Sequence, residues 1–293
     1  MSADDEMVPE KALSNAQRFV LEEGIKVIWD PTANTIIPQL GINTKPGEEF
    51  LMMAYTSVPL YAQSPNKYMV TMPPPFSVYL KDWIPRVMGH GWMKMGMLQT
   101  TGSYGELWGK TMKDAWTNVI LCGGPSEPTA LVIEQARNMG FKGGFIVIDQ
   151  AKLDIIVDKT GIDKLEGCVG VLPVDQSVWP GTAKIMERFE KEYGMRFTWE
   201  AAICYTGFHI LVEAMKEAGS VDDVAAIRAA FAKGNVSVTS EEEFPVAFSG
   251  INDQTGALLM PGTTVEVKDG AFQPGELMDW WKMSGEALAE GTE

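Results

Sequence analysis

The sequence has few of the residues on which metal sites and disulfide frameworks are built. It contains 2 histidines and 3 cysteines, and the cysteines, Cys122, Cys168 and Cys204, are far apart and flanked by apolar residues. An odd number of widely spaced cysteines argues against a disulfide framework and favours buried free thiols. His90 and His209 lack the spacing to a second His or Cys that a metal site requires. We therefore expect no metal, no cofactor and no catalytic residues.

Basic residues are also scarce. The 24 Lys and Arg stand against 39 Asp and Glu, which gives a formal net charge of −15. Such a chain repels polyanions, so neither nucleic acid nor an anionic membrane is expected as the main partner. No apolar run approaches the roughly 20 residues that cross a bilayer, and residues 1–11 lack the pattern of a secretory signal. With 293 residues, 45% of them hydrophobic, the length predicts about two domains and a substantial core.

Segments with strand and helix periodicity alternate along most of the chain. Strands are predicted at 25–28, 49–54, 67–71, 93–98, 118–121, 144–148 and 167–172, and helices at 12–23, 78–88, 127–139, 182–193, 200–218 and 221–233. This alternation indicates an α/β protein whose parallel sheets have helices on both faces. After Phe244 the pattern changes to short extended pieces, and residues 263–271 predict a hairpin with a Lys-Asp-Gly turn.

Polar turns follow five of the predicted strands, at 30–35, 55–57, 100–105, 123–127 and 149–150. In open α/β sheets, ligands bind beyond the carboxyl ends of the strands, where helix N-termini favour anions. Two separated parts of the chain supply these turns. They therefore predict a cleft between two lobes that holds a small solute.

One of these turns also resembles a nucleotide-binding phosphate loop. Residues 105–111 spell Gly, three residues and then Gly-Lys-Thr, and the apolar strand before Asp149 imitates one that ends in a magnesium ligand. The loop is one residue too short, and Tyr104 occupies the place of the first glycine, where the backbone must approach the phosphate. Nucleotide hydrolysis is thus the weaker alternative, and Lys110 is interpreted as a solvated helix residue.

The order of three stretches resembles the type I periplasmic solute-binding proteins, in particular the branched-chain amino-acid receptor family of ABC transporters. The stretches are ALSNAQRFVLEEGIKVI at 12–28, GSYGELWGKTMKDAW at 102–116 and ALVIEQARNMGFKGGFIV at 130–147. The later helices at 200–219 and 221–231 are similar to the long helix of lobe one in that family and the helix after it. The resemblance implies an extracytoplasmic location and an ABC permease as partner.

The family likeness also implies a domain organisation. It predicts two Rossmann-like lobes with parallel sheets, joined by crossover strands. Lobe 1 comprises 1–73 and 174–236, lobe 2 comprises 74–173 and 237–280, and 281–293 form a C-terminal tail. Two segments of the family pattern are missing: a strand, helix and strand at the N-terminus, and a strand and helix before Asn118. Each sheet is then expected to expose an edge or an apolar face, which predicts an oligomer that covers it.

The resemblance assigns ligand contacts to seven residues, Asn34, Thr35, Thr56, Ser57, Tyr104, Ser126 and Asp149. It implies that the hydroxyl-rich turns of lobe 1 hold the carboxylate and ammonium of an amino acid. Tyr104 is expected to close over the ligand and Asp149 to pair with its ammonium. Pro125 and Ser126 stand where many amino-acid receptors carry an aromatic residue, so an aromatic or branched carboxylate fits the pattern as well as an amino acid.

Simpler structural roles remain open for the same residues. Thr56 and Ser57 could cap a helix instead of binding a ligand. Tyr104 could be a packed surface aromatic residue, and Asp149 could be an ordinary acidic residue of a turn. Two functions also remain open, a solute receptor that delivers its ligand to an ABC transporter and a ligand-sensing regulatory subunit. The same fold supports both.

Overall fold

The computed structural model describes residues 1–58, 66–92, 94–98, 104–107, 109, 119–174, 181–232, 250–252 and 255–282. The chain forms two compact units. The first unit contains Met1–Pro75, Trp179–Ile185 and Glu200–Met260, and the second contains Phe76–Val178, Met186–Trp199 and Pro261–Glu293.

The first unit is built on a parallel sheet of three strands in the order β1-β2-β3. These strands are β1 (Val27–Asp30), β2 (Leu51–Ala54) and β3 (Met69–Thr71). Its helices are α1 (Pro9–Leu21), α2 (Ala33–Leu40), α7 (Trp199–Ala218) and α8 (Val224–Ala232). All four side chains of β2 are fully buried, as a continuous apolar run in a parallel sheet requires. Ala257 adds a parallel bridge to Thr71 at the outer side of β3.

The second unit is built on a sheet of six strands in the order β4 to β9. They are β4 (Met95–Leu98), β5 (Val119–Cys122), β6 (Gly144–Val147), β7 (Val169–Val171), β8 (Thr264–Lys268) and β9 (Ala271–Pro274). The pairs from β4 to β7 are parallel, whereas β7, β8 and β9 pair antiparallel. Helices of this unit are α3 (Ser77–Gly89), α4 (Ser126–Asn138) and α5 (Leu153–Thr160), and α6 (Thr182–Tyr193) follows β7 in the chain. Short 3₁₀ helices occupy Ile162–Leu165 and Trp280–Lys282.

Glycines permit two close approaches in the core of the second unit. Gly144 and Gly167 both face the indole of Trp92, so that a Cβ at either position would overlap the ring. Gly167 also has a φ of +75°, a conformation that a side chain disfavours. The amino ends of β6 and β7 are therefore packed around one tryptophan.

Most predicted strands and helices are confirmed, including the hairpin of β8 and β9 with its Asp269-Gly270 turn. Two helices were missed, α2 and α5, because both are only eight residues long and directly follow predicted turns. The first of the short extended pieces predicted after Phe244, at 246–248, lies outside the described residues. The compact units divide the chain differently from the predicted lobes, because Glu200–Met260 falls in the first unit as a whole and Met186–Trp199 falls in the second. Ala257 pairs with Thr71 of the first unit.

Each sheet ends in an edge strand that has no neighbour among the described residues. In the first unit this strand is β1, and in the second it is β4, whose exposed side chains include Leu98 at 49%.

Candidate functional site

The carboxyl ends of the three strands in the first unit form a polar edge. Asp30 of β1 is aligned with Ala54 of β2, and Ala54 with Thr71 of β3. The chain beyond β2 then places Thr56 and Ser57 at this edge, and both are only 6% exposed. The Thr56 hydroxyl accepts a hydrogen bond from the backbone N–H of Val58 at 3.3 Å, which closes a local hydroxyl turn. The structure thus brings the two predicted turns of lobe 1 together.

A buried carboxylate organises the first of these turns. The Asp30 carboxylate accepts hydrogen bonds from the Thr35 hydroxyl at 2.8 Å, the Gln39 amide at 2.5 Å and the Thr32 N–H at 2.8 Å. Burial raises the pKa of the Asp30 carboxyl above its ordinary value, and these hydrogen bonds offset part of the rise. The network ties the start of α2 to the end of β1.

This network changes the roles of two predicted ligand residues. Thr35 is completely buried, and its hydroxyl is engaged by Asp30. The Asn34 amide donates to the backbone carbonyl of Met7 at 3.1 Å, so it anchors the N-terminal segment. Thr35 therefore supports the polar edge from inside the unit, and Asn34 ties it to the N-terminal segment. Ligand contact by Asn34, Thr35, Thr56 and Ser57 stays a prediction.

The second unit has its own polar edge at the carboxyl ends of its parallel strands. Asp149 follows β6 and is 3% exposed, and the Tyr104 hydroxyl donates a hydrogen bond to its Oδ1. Ser126 begins α4 after β5, is 8% exposed, and accepts a hydrogen bond from the Lys152 N–H at 2.9 Å. The three residues predicted for lobe 2 thus lie at one end of one sheet, and two of them are in direct contact.

Aromatic side chains support the Tyr104–Asp149 pair. Phe76 meets the Tyr104 ring edge to face, with centroids 6.2 Å apart. Burial, and then the charge of Asp149, raises the pKa of the Tyr79 hydroxyl well above its ordinary value. Tyr79 stacks on Trp83 at 5.3 Å, and the Trp83 indole N–H donates to the Gly170 carbonyl at 3.0 Å. This packing holds Tyr104 against a rigid wall and stabilises its hydroxyl position.

Sequence reasoning missed several polar atoms that the structure leaves buried. Within the described part of the chain, four side-chain oxygens have no hydrogen-bond partner, those of Thr71, Ser77, Gln150 and Thr206. Thr71 ends β3 and Gln150 follows Asp149, so these two lie at the polar edges. Because an unsatisfied buried polar atom costs about 1–3 kcal/mol, such atoms are natural ligand contacts. The sequence could have indicated Thr71 and Gln150 because both follow or end a strand. Gln150 lies in the polar turn at 149–150, which the sequence analysis already names.

The described ranges bear on metal binding but not on the phosphate-loop alternative. No group of three or more His, Cys, Asp or Glu side chains there is close enough to hold a metal ion. His90 Nε2 lies 2.6 Å from Glu266 Oε1, and the His209 ring packs at a tilt against Tyr205 with centroids 4.5 Å apart. Lys110, the central residue of the phosphate-loop alternative, lies outside the described residues. None of the described helices is long and apolar enough to span a membrane.

A cavity of 380 Å³ in the second unit lies away from the polar edge. Its lining includes Trp92, Phe141 and Gly167, which precede the strands rather than follow them. Arg137 closes one side, where it donates to backbone carbonyls that include Gly143 and Glu166. The cavity is therefore at the amino ends of β6 and β7, opposite to the predicted ligand residues.

Comparison with known proteins assigns the sequence to a family and relates its fold to solved structures. The family model described as periplasmic binding protein matches residues 108–271, which is more than half of the 293 residues. A search of the curated proteins found no match.

Several solved structures share the fold. A leucine binding protein, LivK, from Thermotoga maritima has a TM-score of 0.70 at 16% identity, over 96% of this chain and 87% of that one. A periplasmic binding protein from Burkholderia mallei has a TM-score of 0.77 at 13% identity, over 98% and 84%. LivJ from Streptococcus pneumoniae, solved with isoleucine, has a TM-score of 0.74 at 14% identity, over 95% and 86%. At these identities the structures establish a common fold, and the family assignment comes from the sequence model. The chain therefore belongs to the periplasmic binding protein family of extracytoplasmic solute-binding proteins, which are not enzymes.

Proposed function

We propose that this chain captures a small amino acid, or a branched or aromatic carboxylate, and presents it to an ABC transporter permease. The observation that carries the proposal is the buried Asp149 carboxylate, held by the Tyr104 hydroxyl at the carboxyl edge of the second sheet. A buried carboxylate in this position is suited to a ligand ammonium, because opposite charges in a low-dielectric site attract strongly.

The first unit supplies the complementary chemistry for a carboxylate. Thr56 and Ser57 are buried hydroxyl residues directly beyond β2. Hydroxyl and backbone N–H groups at strand ends are the usual donors to a carboxylate in α/β sheets. We propose the two compact units as the two lobes. Substitutions at the polar edge of each unit are expected to weaken binding of the solute, and each unit is tested by its own variant.

The unpartnered oxygens extend the proposed site. Thr71 Oγ1 and Gln150 Oε1 are buried without hydrogen bonds among the described residues. An ammonium or a ligand hydroxyl that reached them would recover the free energy lost on their burial. Ser126, in the place of an expected aromatic, leaves room for a larger side chain on the ligand.

The partner is proposed from the family rather than from contacts. The solved structures that share the fold include a leucine binding protein and a branched-chain amino acid transporter substrate binding protein. We therefore propose uptake by an ABC permease, with a ligand-sensing regulatory subunit as the second candidate. The fold supports either function, and a permease that associates with the loaded protein would favour uptake.

A thermal-shift screen tests the ligand class. The full chain is heated with each of the common amino acids and with branched and aromatic carboxylates, and ATP with Mg²⁺ serves as the control for the phosphate-loop alternative. Stabilisation by a true ligand grows with its concentration and reaches about 2.7 kcal/mol at a hundredfold excess over Kd. We expect dose-dependent stabilisation by at least one amino acid or carboxylate. A shift with ATP and Mg²⁺ alone, or with no compound, would contradict the proposal.

A further inference from the structure

Asp30 contacts both hydroxyl-rich turns of the first unit. Its carboxylate accepts hydrogen bonds from three donors that follow β1, the Thr32 N–H, the Thr35 hydroxyl and the Gln39 amide. Its main-chain carbonyl accepts the N–H of Tyr55 at 2.9 Å. Tyr55 directly precedes Thr56 and Ser57. One residue therefore joins the turn after β1 to the turn after β2.

Helix α2 depends on this carboxylate because the helix has little support of its own. It is eight residues long, contains Pro38, and begins at an N-cap residue, Thr32, that makes no side-chain cap hydrogen bond. A helix this short is not stable alone, and an internal proline removes one of its hydrogen bonds. The negative charge of Asp30 lies at the start of α2, where the helix dipole favours an anion. The carboxylate therefore fixes where α2 begins.

The charge on Asp30 does not stabilise the fold by being buried. Asp30 is 4% exposed, and burial raises the pKa of its carboxyl above the ordinary value of 3.8, with the charge of Asp5 adding to the rise. A raised pKa means that folding disfavours the charged form, although the three hydrogen bonds favour it. Carboxyl groups perturbed in this way are concentrated at functional sites. The position of Asp30 at the polar edge agrees with such a role.

A neutral side chain of the same shape cannot hold the three donors. Asparagine has one acceptor oxygen, and its NH₂ group is itself a donor. In place of Asp30 it would direct that group at one or more of the three donors, which would then turn away. The displacement reaches the second turn, because the Tyr55 N–H is bonded to the main chain of the same residue.

We propose that Asp30 is the positioning residue of the solute site in the first unit, and that its negative charge sets the affinity of the Thr56–Ser57 turn for the solute. Its side chain holds the start of α2, and its carbonyl holds the start of the turn. Asp30 does not itself bind the solute, because three internal donors occupy its carboxylate. This inference rests on the proposed function, in which Thr56 and Ser57 contact the solute.

Amide hydrogen exchange in the full chain without solute, measured by NMR, tests the positioning. The Tyr55 N–H donates to the Asp30 carbonyl and the Val58 N–H donates to the Thr56 hydroxyl, so both amides report on the turn. We expect Asp30→Asn to speed the exchange of both amides about tenfold, because the turn opens locally more often.

Asn43→Ala is the matched control for a loss of stability alone. Asn43 is fully buried in the same unit, but its amide donates to Asn66 and to the Tyr68 carbonyl, before the amino end of β3. Its removal leaves a buried carbonyl without a donor and should lower the unfolding midpoint in urea. It should not change the exchange of the Tyr55 and Val58 amides.

Calorimetric titration tests the consequence for binding. The probe is the amino acid or carboxylate that most stabilises the wild type in the thermal-shift screen. We expect Asp30→Asn to bind it at least about tenfold more weakly, with a smaller fall in the unfolding midpoint than in Asn43→Ala. Gln39→Leu removes one donor to the carboxylate and should weaken binding about fivefold. In the Asp30→Asn background it should add little, because the two side chains act as one unit.

Either of two results would overturn the proposal. One is unchanged exchange of the Tyr55 and Val58 amides in Asp30→Asn. The other is a probe affinity within about twofold of the wild type in both Asp30→Asn and Gln39→Leu. If Asp30→Asn fails to fold, Gln39→Leu decides by the same two measurements. A wild type that binds no compound of the screen contradicts the proposed function, and amide exchange still decides whether Asp30 positions the turn.

Discussion

Replacing Tyr104 by phenylalanine isolates the hydrogen bond at the centre of the proposed ligand site. The substitution keeps the ring that meets Phe76 edge to face and removes only the hydroxyl that donates to Asp149. Because Asp149 is 3% exposed, water does not readily replace the lost donor.

The size of the effect follows from the charge on the acceptor. A hydrogen bond to a charged group contributes about 1.5–3 kcal/mol, which corresponds to about a tenfold to a hundredfold loss of affinity if the ligand requires an oriented Asp149 carboxylate. Isothermal titration calorimetry with the tightest compound from the thermal-shift screen measures it. Tyr193→Phe, at a tyrosine that is 59% exposed, is the matched control and should bind like the wild type.

A double-mutant cycle sharpens this prediction. Asp149→Asn alone should weaken binding, and Tyr104→Phe in that background should add little, because the two side chains act as one unit. Additive losses from the two substitutions, or a Tyr104→Phe variant within twofold of the wild type, would refute the reasoning.

Three further predictions concern stability and reactivity. Gly256 has a φ of +77°, and a Cβ there would meet the carbonyl of Met69. Gly256→Ala should therefore lower the free energy of unfolding in urea by at least about 2 kcal/mol. Gly270 has a φ of +70° but open space around it, so Gly270→Ala should lower it by only about 1 kcal/mol. Burial raises the pKa of the Asp154 carboxyl above its ordinary value, so Asp154→Asn should increase the free energy of unfolding at pH 7. That gain should shrink as the pH falls through the raised folded-state pKa and vanish below the ordinary value of 3.8, where the wild-type carboxyl is protonated in both states. Burial also raises the pKa of Cys204 to about 12, so in a variant whose other two cysteines are serine, iodoacetamide at pH 8 should modify it more than about tenfold slower than free cysteine. A gain for Asp154→Asn that persists at pH 4, or a Cys204 that reacts like free cysteine, would contradict these assignments.

The sequence predicted the sheets because their strands are short and strongly apolar. Leu51–Ala54 and Gly144–Val147 are uninterrupted apolar runs, and such runs are typical of parallel strands buried on both faces. The hairpin was predictable from its Asp-Gly turn.

The short helices and the internal polar network were beyond sequence reasoning. Ala33–Leu40 contains an internal proline, and its start looked like a ligand-binding turn. Nothing in the spacing shows that Asp30 is buried and accepts hydrogen bonds from Thr32, from Thr35 and from Gln39 of α2. A carboxylate after a strand has the same local sequence whether it faces solvent, a ligand or its own helix.

The contact between Tyr104 and Asp149 in the second unit agrees with their predicted placement at one site. Tyr104 and Asp149 are 45 positions apart, and the resemblance to a family placed both at one site. The structure brings them into contact. Ser126 lies at the same end of the sheet but engages the backbone of Lys152, so its contact with a ligand remains a prediction.

The most direct test of the central claim is a calorimetric titration of the tightest solute into Asp149→Ala and Thr56→Val, one variant in each unit. Both variants should fold, and each should bind that solute more weakly. If the ligand carries an ammonium, Asp149→Ala should weaken binding about thirtyfold or more, because a lost buried charge partner costs about 2–5 kcal/mol. The exposed acid Asp163, changed to alanine, should leave binding unchanged. Wild-type affinity in both Asp149→Ala and Thr56→Val would contradict the account.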